Sequence, residues 1–441
     1  MNYPSDRQAQ RQAFFEKHHD RFSWYDLEAP RPNSAHYFND CIIEEQTINN
    51  RIYACYDIFS ITPELVTAIE KATADCWQIL VAAGEEIQSR SDSELIALGY
   101  LPETLDLLRD TAQPPFIGRC DFAATDRGIF MLECNAEVAT FLVETFEMNG
   151  LIAAQFGQKD PNSQSKAILQ QELNAYLNRI IPELLGKDPE DCRIAFSAIG
   201  DAEEDIGTAK YLCELCQYPA EVIPIEQLQL DETGVFDRAG LPIDIIYRIY
   251  PTEWIVLDRD PTTQRSLWEI LEPLIFERKV ALINPISSMM LQNKSLLASI
   301  TTLAQQGYWS AEEQKIIDRH FLPTALDETA IAPPYVSKPT FGREGSEVRI
   351  VEDSVLENAE LFNPSVEYAS FQKVHQQYVQ LPTIDLHGAT YTLQISCFII
   401  NGKATGIAAR IGGRVITNHA YFLAIALPSE PSPHTQPVTE Y

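Results

Sequence analysis

The segment 119–137, RCDFAATDRGIFMLECNAE, contains two short runs of strand-forming residues on either side of a turn. The run TDRG predicts a β-hairpin with a three-residue loop, Asp126 to Gly128, in which the glycine takes a left-handed backbone conformation. Such a loop centres the ladder on Arg127, so that Asp121 lies directly opposite Glu133. The two carboxylates would then face each other across the hairpin.

The same register places further polar side chains beside the two carboxylates. Side chains alternate between the faces of a strand, so Arg119 and Asn135 pair with each other on the face that carries the acidic pair. The opposite face, which we predict to be the core side, carries Cys120, Phe122, Leu132 and Cys134. The hairpin is therefore expected to have one polar face and one core face.

Two carboxylates directly opposite each other repel and need a compensating cation. Oxygen ligands from Asp121, Glu133 and Asn135 suit Mg²⁺, which keeps part of its water shell and also binds phosphate oxygens. The alternative is an exposed hairpin whose polar face is solvated, or is paired with Arg119 and nearby lysines. The hairpin alone leaves both interpretations open.

A second candidate site is the segment 335–350, YVSKPTFGREGSEVRI. Lys338 ends an apolar strand and is followed by a glycine loop. We interpret the segment as a polyphosphate site, in which Lys338 contacts phosphate oxygens and Arg343 lies near the terminal phosphoryl group. The composition of the loop from Phe341 to Gly345 suggests a lid that excludes water. The segment is not a Walker A loop, and an ordinary hairpin with a solvated lysine and arginine is the alternative.

Two further segments are candidates for nucleotide binding. Lys294 starts the amphipathic helix predicted in SSMMLQNKSLLASI, where it would supply a second cation for phosphate. Gln376 and Gln377, in the extended run KVHQQYVQLP, are candidates to offer backbone groups to an adenine edge. A solvated helix lysine and a plain strand are the respective alternatives.

The composition limits the class of protein. With 441 residues, of which 45% are hydrophobic and 22% charged, the chain can bury a large core. It has no apolar run long enough for a membrane span. The formal charge of −30 argues against binding a nucleic-acid backbone, which requires a basic surface. Nine scattered cysteines do not indicate a disulfide framework, and Cys213 and Cys216 lack the second pair that a zinc site needs. We expect a cytoplasmic protein without a nucleic-acid or membrane partner.

The rest of the chain combines helical and strand patterns. A long helix is predicted after Thr62, which caps it with Pro63 in the first turn. The strand-like run 192–200 precedes a helix with an acidic first turn, which indicates an α/β subdomain from about 190 to 285. Short β-rich runs after residue 335 predict an antiparallel sheet, with Asn401-Gly402 at a hairpin turn.

Together these segments resemble the synthetase part of the glutathionylspermidine synthase family and its short acid–amine ligase relatives, in the ATP-grasp superfamily. The matching strings are GRCDF, LECNAE, DAEEDIGTAKYL, YRIYPTEW, LQNKSLL, SKPTFGREGSEV, HQQYVQLP and INGKATGIAARI, in family order from about residue 115 to 422. The resemblance implies an α/β (α+β) protein with a circularly permuted ATP-grasp fold, in which the metal hairpin precedes both phosphate-binding lysines.

The resemblance and the composition together divide the chain into regions. We expect a helical N-terminal portion at 1–115, the metal hairpin and following helices at 116–190, a pre-ATP-grasp-like α/β subdomain at 191–285, an ATP-grasp nucleotide-binding portion at 286–425 and a disordered tail at 426–441. The tail prediction follows from its Pro- and Ser-rich composition.

The resemblance also implies roles for individual residues. The implied Mg²⁺ ligands are Asp121, Glu133 and Asn135, and the implied ATP-binding residues are Lys294, Lys338, Gly342, Arg343, Gly345, Gln376 and Gln377. The implied groups around the transferred phosphoryl and the acyl phosphate are Arg119, Arg343 and Arg410, and the implied substrate contacts are Thr140, Glu203 and Glu204. For the two substrate glutamates, the first turn of a helix is a sufficient alternative explanation.

The activity that the resemblance implies is a carboxylate–amine ligase that uses ATP and Mg²⁺ and forms an amide through an acyl phosphate. A glutathione-like peptide is the expected acid, and a polyamine-like molecule the expected amine. Two alternatives remain, namely a catalytically inactive ATP-grasp protein that binds nucleotide and a phosphotransferase. Phosphate release that requires both an acid and an amine would exclude the first alternative. Trapping of a hydroxamate with hydroxylamine would exclude the second.

Overall fold

The computed structural model describes residues 5–18, 53–260, 263–352, 355–356, 366–417 and 419–428. The α-helices are α1 (Ser5–His18), α2 (Pro63–Gln88), α3 (Asp92–Ala97), α4 (Leu105–Leu108), α5 (Asn149–Gln155), α6 (Ser165–Ile180), α7 (Glu203–Leu215), α8 (Thr252–Leu257), α9 (Leu267–Phe276), α10 (Met289–Gln292), α11 (Ser295–Gln305), α12 (Ala311–His320) and α13 (Val366–Ala369). The strands are β1 (Ala54–Ser60), β2 (Ile117–Thr125), β3 (Gly128–Asn135), β4 (Ile194–Ala198), β5 (Ala220–Val222), β6 (Gln229–Asp231), β7 (Gly234–Phe236), β8 (Pro242–Ile243), β9 (Ile245–Ile249), β10 (Ala281–Ile283), β11 (Thr324–Ala325), β12 (Tyr335–Pro339), β13 (Arg349–Glu352), β14 (Val355–Leu356), β15 (Lys373–Gln377), β16 (Thr383–Leu386), β17 (Ala389–Ile400), β18 (Lys403–Gly412) and β19 (Tyr421–Ala426). Two π-helical segments, Glu144–Met148 and Ile181–Leu185, adjoin α5 and α6.

The largest sheet carries the predicted metal hairpin, β2 and β3, at one of its edges. Its strand order is β1-β19-β18-β17-β2-β3, with β16 paired to the start of β17. One face packs on α2, where Ile69 and Ile79 share a core with Cys120 and Ile395. The other face packs on a second core that includes Phe398 and the chain from the π-helical segment to α6.

The helix predicted after Thr62 is confirmed as α2. The Thr62 hydroxyl accepts a hydrogen bond from the Leu65 backbone N–H at 3.2 Å, and Pro63 occupies the first turn. A side-chain oxygen at this position satisfies one of the unpaired N–H groups of the first turn. The apolar face of α2 buries nearly all of its side chains against the largest sheet.

The turn of the hairpin between β2 and β3 differs from the predicted turn. Thr125 pairs directly with Gly128, so the turn contains only the two residues 126 and 127, and the predicted three-residue loop is wrong. Gly128 has a φ of 143°, which a residue with a side chain rarely adopts. The shorter turn would shift every later pair by one residue.

A β-bulge restores the predicted pairing. Phe122 pairs with Met131 and Asp121 pairs with Glu133, so Leu132 is an extra residue on β3 with no partner on β2. Beyond the bulge, the pairing of Asp121 with Glu133 agrees with the prediction, and Arg119 lies opposite Asn135 as predicted. The opposed carboxylates are therefore part of the fold.

The two faces of the hairpin follow the prediction with one correction. Cys120, Phe122 and Cys134 lie in the core against α2, as expected. Leu132 does not join them, because the bulge removes it from the regular alternation. It is half-buried against a smaller cluster that includes Ala123.

The predicted α/β subdomain corresponds to a parallel sheet with the strand order β10-β9-β4-β5. The predicted strand 192–200 contains β4, and the helix after it is α7, whose first turn carries Glu203, Glu204 and Asp205. Negative side chains are favourable at a helix N-terminus because of the helix dipole. The local pattern therefore accounts for these acidic residues without a substrate.

The β-rich segment after residue 335 is also confirmed. Its first part forms an antiparallel sheet with the order β11-β15-β12-β13-β14, and its second part supplies the long strands β17 and β18 of the largest sheet. Ile400 pairs with Lys403 around the predicted turn, where Asn401 and Gly402 have φ values of 48° and 81°. Both residues therefore adopt the left-handed conformation that a two-residue hairpin turn of this kind requires.

The predicted division into regions stays a prediction, but two of the predicted regions can be compared with the strands of the largest sheet. The region predicted to be helical contributes β1, which pairs in parallel with β19 in the largest sheet. The region predicted to be a tail begins with Ala426, which ends β19. Residues 429–441 of that predicted tail lie outside the described residues.

Two composition-based expectations concern membranes and thiols. Among the described helices, none is long and apolar enough to cross a membrane. The described cysteines are free thiols. Cys213 lies in α7 and Cys216 follows its last residue, and both are half-buried rather than fully buried.

His320, the last residue of α12, is a buried titratable group that packs against β3. Its Nδ1 lies 2.7 Å from the carbonyl oxygen of Ile129, and burial lowers the pKa of His320 below its usual value. The unfolded chain therefore binds more protons than the folded chain once the pH falls below about 6.5. We expect the free energy of unfolding to decrease as the pH falls from 7.5 to 5.5, by up to about 1.4 kcal/mol for each unit of pKa shift.

Urea unfolding at these two pH values measures the effect, with His320→Gln as the comparison. The glutamine can still donate a hydrogen bond to Ile129 but does not titrate, so its unfolding free energy should depend less on pH than that of the parent. An equal pH dependence in the two proteins would show that His320 titrates normally.

Candidate active site

Arg119 and Asp121 form a buried ion pair on β2. Arg119 Nε lies 2.8 Å from Asp121 Oδ1 and Arg119 Nη2 lies 3.0 Å from Oδ2, so the carboxylate is bound through both oxygens. The two side chains are 8% and 2% exposed, so this part of the polar face is not solvated. The other form of the alternative, in which the acidic residues pair with Arg119 and a nearby lysine, is what the structure shows for Asp121 and Glu133. Burial opposes the guanidinium charge, but Asp121 outweighs it and raises the pKa of Arg119.

Glu133 lies opposite this pair and contacts Lys294. The Lys294 amine is 3.3 Å from Glu133 Oε2, and the glutamate side chain is 29% exposed. Lys294 immediately precedes α11, as predicted, but it is only 4% exposed instead of solvated. Burial favours the neutral carboxylic acid, yet Lys294 with Lys338 and Arg119 lowers the pKa of Glu133 to about 2. Glu133 is therefore ionised at neutral pH.

Lys338 reaches the same place from β12 of the antiparallel sheet. Its amine donates to the carbonyl of Leu132 at 2.8 Å and to Gln376 Oε1 at 2.9 Å. The Leu132 carbonyl belongs to the bulge residue, whose backbone is displaced from the regular ladder. Burial lowers the pKa of Lys338 to about 8, although Glu133 favours its charged form. The carbonyl of the bulge residue thus connects the hairpin to the antiparallel sheet that contains β12.

The hairpin carries the donor types that the predicted Mg²⁺ site requires, with both Asp121 oxygens bound by Arg119 in this structure. Asp121 and Glu133 are directly opposite each other, and Asn135 Nδ2 lies 3.4 Å from Asp121 Oδ2. Two carboxylates and an amide supply oxygen ligands only, which is the donor type that Mg²⁺ prefers. These two carboxylates and this amide would leave further positions for phosphate oxygens and water.

The glycine loop after β12 is attached to Lys294 and to the core. Lys294 donates from its amine to the carbonyl of Gly342 at 2.7 Å. Phe341, which we expected in a lid that excludes water, is fully buried and packs against Tyr100 and Phe371. Gly345 has a φ of 72°, and a Cβ at this position would lie 2.9 Å from the carbonyl oxygen of Ile416. The loop therefore requires glycine here and packs closely in the structure.

Arg343 of this loop binds two buried carboxylates instead of lying in solvent. Its Nε donates to Glu253 Oε1 at 2.8 Å, and its Nη2 donates to Glu137 Oε2 at 3.2 Å. Glu137 also pairs with Arg248 at 2.8 Å and accepts from the backbone N–H of Thr252 at 2.8 Å. This buried charged cluster joins the metal hairpin, the parallel sheet and the glycine loop.

Glu137 and Glu253 are functional-site residues with little local signal in the sequence. Glu137 lies two residues beyond the end of β3, and Glu253 lies in the first turn of α8, where an acidic residue is favourable on a solvated helix. Their side chains are 0% and 1% exposed, and their partner Arg343 is distant in sequence. Both fall within strings that carry the family resemblance, and this is the signal that could have found them.

Arg410, the remaining predicted arginine, lies on β18 opposite Gln394 of β17. Its Nη2 donates to the Thr417 carbonyl at 3.0 Å, and its guanidinium lies 5.8 Å from the centre of the Phe141 ring. Thr140, the predicted substrate contact, accepts a hydrogen bond at its carbonyl from Arg119 Nη1 at 2.9 Å. The segment at 140–141 is thus in contact with both arginines.

Phe141 has a φ of 81°, a strained conformation for an aromatic residue. Its ring packs edge-to-face on Phe422, with 5.6 Å between the ring centres, and is buried. The π-helical segment Glu144–Met148 follows directly. Strained residues and π-helical turns are both frequent at functional sites. The backbone irregularity coincides with Arg119 and Arg410, two of the three arginines that we predicted around the transferred phosphoryl group.

The other predicted site residues take different positions. Gln376 contributes its side chain to Lys338, but its backbone lies inside the sheet, paired with Val336 on one side and Thr324 on the other. The Gln377 N–H donates to Pro323 at 2.8 Å, so this group is not available to an adenine edge as we had expected. Glu203 is exposed and Glu204 is half-buried at the start of α7.

The amino-acid sequence is similar to a protein family and to two named proteins. Residues 28–427 match the sequence model of a family described as glutathionylspermidine synthase preATP-grasp. A protein of Haemophilus influenzae whose assigned name is acid–amine ligase is 24% identical over 420 residues, which is 91% of this chain and 93% of that protein. Glutathionylspermidine synthase of Crithidia fasciculata is 21% identical over 325 residues, covering 68% of this chain but only 43% of that longer protein.

Among solved structures, a glutathione synthetase-like effector from Globodera pallida has a similar fold. The TM-score is 0.55 with 11% sequence identity, and the alignment covers 95% of this chain and 97% of the effector. At this identity the similarity concerns the fold and not the activity. It agrees with the expected ATP-grasp fold.

Proposed function

Because the chain belongs to the glutathionylspermidine synthase preATP-grasp family, we propose that it is an ATP- and Mg²⁺-dependent ligase that joins a carboxylic acid to an amine. The reaction would proceed through an acyl phosphate. The proposal combines the family membership with the charges assembled around the hairpin.

The observation that carries the proposal is the convergence of two lysines on the opposed carboxylates. Lys294, which immediately precedes α11, pairs with Glu133, and Lys338 of β12 donates to the carbonyl of Leu132, the residue before Glu133. Glu133 lies directly opposite Asp121. A divalent cation needs carboxylate ligands, and the phosphate groups that bind it need cationic side chains. A complex of a divalent cation and a polyphosphate therefore requires both kinds of group side by side. The convergence comes from three separate parts of the chain, so it is not a consequence of local sequence.

We assign the binding of ATP to these cations. Lys294 and Lys338 would contact phosphate oxygens, with Gly342, Gly345 and the loop amides above them. Asp121, Glu133 and Asn135 would hold Mg²⁺, which would supply neutralisation of phosphate charge at this place. Gln376 acts in this assignment through its side chain, which orients Lys338.

The chemical step assigned to the arginines is transfer of the phosphoryl group to the acid. A carboxylate oxygen of the acid attacks the γ-phosphorus of ATP, ADP leaves, and an acyl phosphate forms. Arg119 and Arg410, which flank the segment at 140–141, would bind the substrate carboxylate and the charge that develops on the phosphoryl oxygens. Asp121 fixes the Arg119 guanidinium in one orientation.

The second step assigned to the site is attack by the amine. The neutral amine nitrogen attacks the acyl carbon, inorganic phosphate leaves, and the amine loses one proton as the amide forms. Glu204 is our candidate to hold the ammonium group or to accept that proton, because it is half-buried at the start of α7. Glu203 is more exposed and would contribute negative charge that favours a cationic amine.

The substrates in this proposal are a peptide such as glutathione as the acid and a polyamine-like amine. The support is the name of the Crithidia relative, of which this chain matches less than half. The high negative charge of the chain also favours a cationic substrate. Thr140 is the substrate contact that we assign on the acid side, next to Arg119.

ADP release tests the proposed function directly. Peptides and polyamines are screened in pairs with ATP and Mg²⁺, and ADP formation should require both an acid and an amine. With hydroxylamine in place of the amine, the expected product is a hydroxamate. A protein that binds no ATP in the presence of Mg²⁺ would contradict the proposal. ATP consumption that transfers phosphate to an alcohol, with no hydroxamate from any acid, would instead indicate a phosphotransferase.

A further inference from the structure

The backbone at the start of the glycine loop contacts Lys294, one of the two lysines that we assign to phosphate. The Lys294 backbone N–H donates to the Thr340 carbonyl at 2.9 Å, and the Lys294 amine donates to the Gly342 carbonyl at 2.7 Å. The same amine pairs with Glu133 at 3.3 Å. Any movement of the loop therefore changes the surroundings of a lysine that we assign to phosphate.

The side chain of the next residue, Arg343, is bound by two acidic side chains outside the loop. Its Nε lies 2.8 Å from Glu253 Oε1, and its Nη2 lies 3.2 Å from Glu137 Oε2 and 3.5 Å from Glu253 Oε2. The Arg343 side chain is 15% exposed, whereas the two glutamate side chains are 1% and 0% exposed. The guanidinium is therefore the outermost part of the cluster.

The two glutamates depend on Arg343 to different degrees. Glu137 also binds Arg248, whose Nη2 lies 2.8 Å from Glu137 Oε1, so it keeps a cation without Arg343. Among the described residues, Arg343 is the cation paired with Glu253. Burial raises the pKa of Glu253, and Arg343 opposes this change. If the loop moved away, Glu253 would be a buried carboxylate without its cation, which is unfavourable.

We propose that Glu253 and Glu137 are positioning residues, which bind Arg343 and thereby hold the glycine loop closed over the phosphate site. The inference rests on the proposed function, for which a closed loop is needed to keep water from the acyl phosphate before the amine attacks. Neither glutamate is assigned a contact with substrate or ATP. Their effect on the reaction passes through Arg343 and the backbone of residues 341–347.

Hydrogen exchange of the loop amides tests the positioning role without any substrate. We compare the parent with Glu253→Gln, which keeps the shape of the side chain but removes the charge that binds Arg343. A charge-assisted hydrogen bond changes an opening equilibrium by roughly 10- to 100-fold, so amides in 341–348 should exchange faster by about that factor. Arg343→Gln should produce a similar increase, and the double variant should exceed neither single variant by more than about twofold, because both remove the same interaction.

Glu172→Gln is the matched control for the loss of a buried carboxylate. Glu172 is 6% exposed at its side chain, pairs with Lys403, and accepts from Asn401 Nδ2 at 2.8 Å at the turn between β17 and β18. This control should leave exchange in 341–348 unchanged. Loop exchange that is within twofold of the parent in both Glu253→Gln and Arg343→Gln would overturn the proposal. Similar acceleration in Glu172→Gln would overturn it as well, since it would indicate general destabilisation.

The second readout is the ratio of phosphate released to amide formed. With a loosened loop, water competes with the amine, so Glu253→Gln should raise this ratio several-fold over the parent while the protein still binds ATP. A parent without ligase activity would contradict the proposed function and leave the exchange result to decide the positioning role. Loop exchange that accelerates together with an unchanged product ratio would overturn the claim that closure excludes water.

Discussion

Replacing Asp121 with asparagine is expected to lower ATP-dependent ligation by about 10²- to 10³-fold and to destabilise the fold by roughly 3–5 kcal/mol. Asp121 binds Arg119 through both oxygens, and the two side chains are 2% and 8% exposed. An asparagine keeps the shape but leaves the guanidinium buried without a counter-charge. It also removes one of the two carboxylates that we assign to Mg²⁺, so activity and stability should fall together.

Steady-state ADP release and urea unfolding measure the two effects on the same preparation. Asp244→Asn is the matched control, because Asp244 is also a buried aspartate, 9% exposed at its side chain, and pairs with Lys187 in the parallel sheet. The control should lose some stability but retain activity in its folded fraction. A fully folded Asp121→Asn protein with parental activity would contradict both the metal assignment and the role of the ion pair.

Replacing Lys338 with methionine is expected to separate activity from stability. We expect kcat/KM for ATP to fall by about 10²- to 10³-fold, because one of two cations assigned to the phosphates is lost. Methionine also removes a buried charge whose burial lowers the pKa of Lys338 to about 8. This relief offsets the loss of the hydrogen bonds to Leu132 and Gln376, so the free energy of unfolding should change by less than roughly 2 kcal/mol.

Nucleotide binding by calorimetry and urea unfolding distinguish this outcome from a folding defect. Lys187→Met is the control, since Lys187 is a partly exposed lysine, 46% exposed, that pairs with Asp244 away from the hairpin. It should bind ATP as the parent does. If the Lys338 variant bound ATP with parental affinity, the convergence of lysines on the hairpin would have no role in phosphate binding.

Local sequence patterns predicted those parts of the fold that local chemistry determines. The cap at Thr62 and the turn at Asn401-Gly402 follow from a side-chain oxygen and from residues that tolerate a positive φ. The pairing of Asp121 with Glu133 was also predicted, although the turn that was used to derive it was wrong. Nothing in the sequence distinguishes a longer turn from a shorter turn with a bulge, because both are compatible with TDRG and with the polar pattern.

Contacts between distant segments could not be derived from the sequence pattern. Lys294 and Lys338 were expected to bind phosphate, but only the fold shows that Lys294 pairs with Glu133 and that Lys338 donates to the neighbouring Leu132 carbonyl. Glu137 and Glu253 are buried beside Arg343, which lies in another part of the chain, so their residue types alone suggested ordinary solvated acids. The backbone of Gln376 and Gln377 was misjudged for a similar reason, since an extended run does not reveal whether it is an edge or a central strand.

The extra residue at Leu132 has a consequence for variation in chain length. A two-residue turn with the bulge and a three-residue turn without it align Asp121 with the same partner. Deletion of one residue at the tip of the hairpin, at position 126 or 127, can therefore be absorbed by straightening β3, because a regular ladder with a two-residue turn still places Asp121 opposite Glu133. Relatives whose hairpin tip is one residue shorter should thus be compatible with the same arrangement of acidic residues.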